Sequence, residues 1–243
     1  MAEYHSRLGQ FYLAKYNLTG QSSNVDVAQE VATADVSGFG DSATSHVVGM
    51  SSWSSPVTSF WDDTTTTGVA TVYNAAFAAS GIVSLWPGGA TLGYRGYAAP
   101  KANETSWNIT SAIGNAVVTN VGLSGHGLLD PVICYGASTS TMAGSYGHTS
   151  HDFSGSHASA TMRGYLHVTA VTGSPTTFKF QESTNNSTWS DLANMAFTQV
   201  ASSTTSESIT ATGTHARYIR LKRSPGVGVS SITYVAAFYC PSQ

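Results

Sequence analysis

The sequence predicts an all-β fold, packed sheets arranged as a sandwich or barrel. Helical periodicity is nearly absent, short runs alternate apolar and polar residues, and turn residues break those runs at short intervals. In chain order, Phe11–Leu13, Val25–Val27, Val69–Phe77, Ile82–Trp86, Trp107–Ile113 and Ala116–Leu123 read as strands in the first half. Gly164–Val171, Thr177–Glu182, Ser206–Ala211, Arg217–Lys222 and Ser231–Tyr239 read as strands in the second. Alternation is cleanest where Ile219 and Leu221 share one face against Tyr218, Arg220 and Lys222, and where Phe178 and Phe180 oppose Lys179 and Gln181. Pro87-Gly88-Gly89, Gly125-His126-Gly127, Thr172-Gly173-Ser174-Pro175, Asn185-Asn186 and Pro225-Gly226 are the turns. The best helical candidate is short, Ser190–Met195.

Gly136–His157 carries no apolar period and reads as a loop. The expected organisation is therefore a β-module over 1–135, a Gly/Ser/His-rich linker over 136–160, and a second β-module over 161–243. Ser111–Gly125 and Ser230–Tyr239 close the two halves with strands of similar character, so the second module is either a duplicate half or an outer domain.

Length and composition narrow the class. At 243 residues the chain can bury a sizeable core, and 41% hydrophobic residues argue against disorder. Charged residues are only 9%, against about a quarter in ordinary soluble domains. Charge keeps a free protein apart from its neighbours, so a surface this poor in it suits a chain packed against copies of itself or partners. The net charge of -3 gives no global pull toward nucleic acid or an anionic membrane. No run has the length or apolar content of a signal peptide or a bilayer span, so membrane insertion is not expected. Cys134 and Cys240 are too few for a disulfide framework and read as buried thiols.

No pattern points to catalysis. Gly38-Phe39-Gly40-Asp41 lacks the spacing, the Lys-Ser/Thr pair and the following helix of a phosphate loop; it reads as a tight turn with Phe39 plugging a core. His148, His151, Asp152 and His157 offer imidazoles and a carboxylate for zinc or nickel. Their Gly/Ser-rich context lacks the rigid support that ligands need, so no metal is expected there. Asp62 and Asp63 follow Trp61, but neighbours on a strand face opposite ways and cannot straddle one glycosidic bond. Arg217, Arg220, Lys222 and Arg223 form a basic cluster that alternation splits between faces, which fits a subunit interface or solvated strand better than a nucleic-acid stripe. Nucleophile elbow, zincin and kinase patterns are all missing, and neither enzymatic activity nor a cofactor is expected.

One ordered set of motifs resembles the tail tube (major tail) proteins of long-tailed bacteriophages of the siphophage type. It runs Tyr16-Asn17-Leu18-Thr19-Gly20, Val25-Asp26-Val27, Ala34 through Ala43 (ADVSGFGDSA), Val48-Gly49 and Phe60-Trp61-Asp62. Phe178–Ser183, Ser187–Leu192 and Arg217–Arg220 extend the resemblance into the second half. It implies two packed β-sheets whose inner strands join neighbours into a ring, stacked rings forming a conduit for genome ejection, and a virion protein assembled in the host cytoplasm. It implies a homo-oligomer of three or six copies per ring, with tape-measure, tail terminator and baseplate or tip proteins as partners. DNA would pass through without specific binding.

Under that resemblance Gly38, Phe39, Gly40, Asp41, Ser42, Val48 and Gly49 belong to a stacking or assembly loop over 37–59. A lumen that gripped phosphates would stall passage, so it should be neutral to acidic, with Asp26, Glu30, Asp35, Asp62 and Asp63 as candidates and the basic cluster elsewhere. The alternative is a capsid- or tail-decorating sandwich that binds carbohydrate or a receptor through Trp189, Tyr218, Tyr234 or Tyr239.

Overall fold

The computed structural model describes residues 9–39, 42–78, 80–141, 146–173, 175–201, 203–226 and 231–241, with side chains for all of these except 76–78, 137–141 and 159. In chain order, β1 (Gln10–Leu13), β2 (Tyr16–Asn17), β3 (Ser22–Val25), β4 (Ala28–Asp35) and β5 (His46–Phe60) precede a helix, α1 (Val69–Ala78). β6 (Gly81–Trp86), β7 (Arg95–Thr110), β8 (Val118–His126) and β9 (Asp130–Thr141) follow. Then come β10 (Tyr146–Gly147), β11 (His151–Asp152), β12 (His157–Thr172), β13 (Thr176–Ser183), β14 (Ser190–Ala196), β15 (Thr205–His215), β16 (Tyr218–Pro225) and β17 (Ser231–Tyr239). The fold is all-β, as the alternation predicts.

The chain forms two compact units, one of residues 1–20, 81–100 and 130–243, the other of 21–80 and 101–129. The division is interleaved rather than the serial 1–135 and 161–243 expected from sequence. In the first unit, strands order β15-β12-β17-β9-β7-β6-β1-β2, and a second sheet orders β10-β16-β13-β14 with β11 also on β16. Phe178, Phe180, Ile219 and Leu221 of the second sheet meet Met162, Leu166, Tyr234, Ala236 and Phe238 of the first in one core, so this unit contains a β-sandwich. The opposite side chains of the same central strands, Tyr165, Val235 and Ala237, are buried too, with Tyr12, Trp86 and Cys134. Gly96 permits this packing, since a Cβ there would run into the Trp86 indole and the Leu85 carbonyl. Both cysteines are buried free thiols, as expected.

The second unit is one antiparallel sheet with α1. β5 is central: β3 and β4 pair along one side of it, β8 along the other, and β8 pairs with β7 through Asn103–Thr110. Trp53, Ser55, Val57 and Ser59 of β5 and Thr119, Val121 and Leu123 of β8 are buried, as are Val69, Val72 and Tyr73 of α1.

Three local expectations fail for physical reasons. Val69–Phe77 is helix, not strand. Its buried Val69, Val72 and Tyr73 stand at i, i+3 and i+4, and Ala70 and the alanines after Tyr73 favour helix. The Asp62 carbonyl accepts from Ala70 N–H at 3.1 Å and the Thr64 carbonyl from Gly68 N–H at 2.9 Å, which orders the approach to the helix. Ser190–Met195 is strand, not helix. Leu192 and Met195 both face the core because β14 is irregular there: Gln181 pairs Asp191 and Lys179 pairs Ala196, while Asn194 adopts φ 58°. The expected linker is largely strand as well. Small residues at 136–141 pair along β17, and His157–Ala160 begins β12. A strand of Gly, Ala, Ser and Thr carries no apolar period but still makes its backbone ladder.

Candidate functional site

The unusual surface lies on the second unit. Beyond the stretch that α1 covers, β4 and β5 continue as a two-stranded ribbon, with every residue of β4 exposed. Gln29 opposes the buried Trp53, so Val31, and Thr33 with its partner Val48, continue the core-side face. Ala34 and Val47 lie on the other face, which also carries Glu30 and Ser52. The register shifts between Val31 and Thr33, where Gly49 lies against Ala32; a Cβ on Gly49 would stand 3.2 Å from the Ala32 carbonyl oxygen. Val48 is 69% exposed and Met50 83%. Phe39, in the turn joining the strands, is fully exposed rather than plugging a core. Ile113, also fully exposed, lies away from the ribbon, in the β7–β8 turn beyond the pairing of Val118 with Phe60 and Thr110. A two-stranded ribbon is at best marginally stable in water, and the exposed apolar residues along it make it a candidate contact surface.

Of the predicted assembly residues, Phe39, Val48 and Gly49 lie on this ribbon, with Gly38 and Ser42 in its turn; Gly40 and Asp41 lie outside the described residues. The expected loop over 37–59 gives way to strand from His46 on, because His46–Phe60 is β5.

The sheet face away from α1 is uncovered and polar. Cross-strand rows place Glu30, Ser52 and His126 together, then Ala28, Ser54, Ser124 and Asn103, then Pro56, Gly122 and Ser106, then Asn24, Thr58, Asn120 and Asn108, with Phe60 beside Val118 beyond them; Lys101, two residues before Asn103 on β7, is exposed on the same face. A shallow groove of about 320 Å³ runs along the first two rows. Both sheet edges are open among the described residues: β4 pairs only β5, and β7 over Asn103–Thr110 pairs only β8.

The candidate lumen carboxylates do not form one cluster. Glu30 alone sits in the uncovered rows. Asp26 accepts from Asn24 Nδ2 at 2.8 Å. Asp35 accepts from the Ser37 hydroxyl at 2.5 Å, which holds its carboxyl below the usual range. Asp62 accepts from the Thr64 hydroxyl and from Gln21 Nε2, both at 2.6 Å, and its carboxyl is likewise lowered, chiefly by Thr64. Asp63 is exposed in the same loop.

In the first unit the basic cluster has internal partners. Arg217 forms a forked pair with Asp152 at 2.8 and 2.7 Å. Arg220 donates to Gln181 Oε1 at 3.0 and 2.8 Å and lies 4.1 Å over the Trp189 ring. Arg223, following Ile219 and Leu221 on the inner face, is buried near Tyr234. Lys222 is half-buried on the Arg220 face. The histidines disperse: His148 hydrogen-bonds the Tyr234 hydroxyl, His151 packs edge-on to Phe153, and His157 lies beside His215. No three His, Cys, Asp or Glu side chains group as a metal site among the described residues. Ser84 Oγ donates to His167 Nε2 at 2.8 Å while His167 Nδ1 donates to the Ala14 carbonyl at 2.5 Å. This serine–histidine contact went unnoticed in the sequence, where the partners stand 83 positions apart. Both side chains are buried, so it serves packing rather than attack on a substrate.

No known protein family's sequence pattern matches the chain. No curated protein matches it. One solved structure that it resembles is the SPP1 Dit protein, described as a paradigm of the hub adsorption apparatus in phages infecting Gram-positive bacteria. The two are 8% identical with a TM-score of 0.32, over 95% of this chain and 99% of that one. At that score the likeness carries no inference.

Proposed function

We propose that this chain is a structural, non-enzymatic subunit of a bacteriophage tail, and more finely a tail-tube subunit that assembles into stacked rings. The observation that carries the reading is the β4–β5 ribbon: apolar on both faces, uncovered, and set on a sheet with two open edges. An edge strand left open is an aggregation hazard in a monomer and a joint in an assembly. The edge of β4 in one copy meets the edge of β7 in the next, a head-to-tail contact that closes a ring when the rotation closes. Phe39 and the ribbon then reach the adjacent ring. The uncovered, largely Ser, Thr and Asn face lies toward the lumen, where Glu30 against the single lysine Lys101 leaves little net positive charge to grip DNA phosphates. The ordered motif resemblance supports the same reading. The carbohydrate-binding alternative has less support, because Tyr234 is buried and Arg220 covers a face of Trp189.

Negative-stain microscopy with mass photometry at rising concentration tests the proposal. Wild type should give hollow rings or tubes whose mass reports the ring order, and Val48→Asp should remain folded but fail to stack. A small oligomer at every concentration, unchanged by Val48→Asp, would overturn it.

A further inference from the structure

The interior of the second unit holds a carboxyl group without a partner. Both oxygens of Glu104 are shielded from solvent and accept no hydrogen bond. Glu104 opposes Leu123 of β8, which opposes Ser55 of β5, so the three share one row on the core-side face. The Ser55 hydroxyl in that row is also buried and unpartnered, as is the indole N–H of Trp53 in the next row. Trp53 lies across Gly125, where a Cβ would stand 2.5 Å from its Nε1, so the indole fills the space above β8 on this face. From α1, Tyr73 is the titratable group that feels the Glu104 charge, and it is itself buried with its hydroxyl 3.2 Å from Ser59 Oγ. The side chains named from β5 and β8, namely Trp53, Ser55, Leu123 and Gly125, carry no charge.

A buried carboxylate with no cation and no donor is poorly tolerated, whereas a neutral carboxylic acid there is acceptable. We infer that Glu104 is a built-in protonation device: the second unit is sound while Glu104 is protonated and loosens when it ionises. Burial raises this carboxyl to about 7, in keeping with that geometry. The folded form then binds a proton that the unfolded chain has released, so stability present at low pH is lost as pH rises from the unfolded value through about 7. α1 and the sheet that bears the ribbon are held tightest in mildly acidic solution. The inference does not depend on the tail reading.

Two measurements on the full chain test it. Infrared spectra should show a protonated-carboxyl stretch that persists at about pH 6 and disappears as pH passes about 7 to 8, and Glu104→Gln should remove it. Thermal unfolding of wild type should show a transition whose midpoint falls as pH rises from the ordinary carboxyl range to about 7, and Glu104→Gln should flatten the fall and be the more stable form at pH 8. Absence of a protonated-carboxyl band at pH 6 in wild type overturns the inference even if the variant fails to fold. A Glu104→Gln profile parallel to wild type overturns it as well.

Discussion

The sandwich of the first unit and the ribbon of the second are both antiparallel β, and they treat apolar residues in opposite ways. In the sandwich Phe178, Phe180, Ile219 and Leu221 alternate inward and are fully buried against a second sheet. In the ribbon Val31, Val47 and Val48 are at least half exposed or nearly so because no second layer covers the strands. The layer above the strand decides whether an apolar side chain becomes core or surface.

Substitutions can break or sharpen this contrast. The largest loss of stability is expected from Phe180→Ala, which empties a site ringed by Tyr135, Phe197 and Phe238 and should cost about 3–5 kcal/mol by urea unfolding. Gly68→Ala comes next. A Cβ there would stand 2.6 Å from the Asp62 carbonyl oxygen and from Thr64 backbone atoms, so the entry to α1 must shift, at about 1–3 kcal/mol.

The units should also differ in their response to acid. His167 and His148 are lowered to about 4 by burial, with Arg223 adding to the effect at His148. Their folded values lie below the ordinary 6.5, so the unfolded chain takes up protons first, and the first unit loses stability as pH falls from 6.5 toward 4. Over part of that range the second unit gains from a protonated Glu104. His167→Gln should flatten the acid-side fall, read as the unfolding midpoint against pH; an unchanged slope would remove His167 from the account.

Smaller effects follow. Arg220→Ala removes a half-exposed stack on Trp189 and both hydrogen bonds to the buried Gln181 Oε1, and should cost about 1–2 kcal/mol. Val48→Asp should change subunit stability least, by about 0.5 kcal/mol or less, because the residue is already in water. The same substitution should abolish stacking in the microscope, and a loss of several kcal/mol from it would show that the ribbon is part of a core after all.

Much of the fold is legible in sequence because alternation is a local property. Phe178/Phe180 and Ile219/Leu221 declare two strands and their inward faces, and the short runs with frequent turns declare an all-β chain. Where the signal was ambiguous, the neighbour decided. Leu192 and Met195 have helical spacing only because β14 bulges, and Val69–Phe77 resembles a strand only if the i, i+3, i+4 pattern beneath its β-branched residues is ignored. The ribbon was half visible. Phe39, Val48 and Gly49 stood out in sequence, yet nothing in the string of letters shows that Phe39 is fully exposed, since a phenylalanine between glycines serves equally as a core plug.

Composition and periodicity alone determined the all-β class, the buried thiols, the inward faces of the sandwich strands and a surface poor in charge. Tertiary structure alone decided the interleaving of the two units, the open edges of β4 and β7, the lone Glu104 carboxyl and the Ser84–His167 contact. The physical reason is range. Alternation records which side of a strand meets apolar matter, but the identity of the layer above it, and whether any layer is there, depends on segments tens of residues away in the chain.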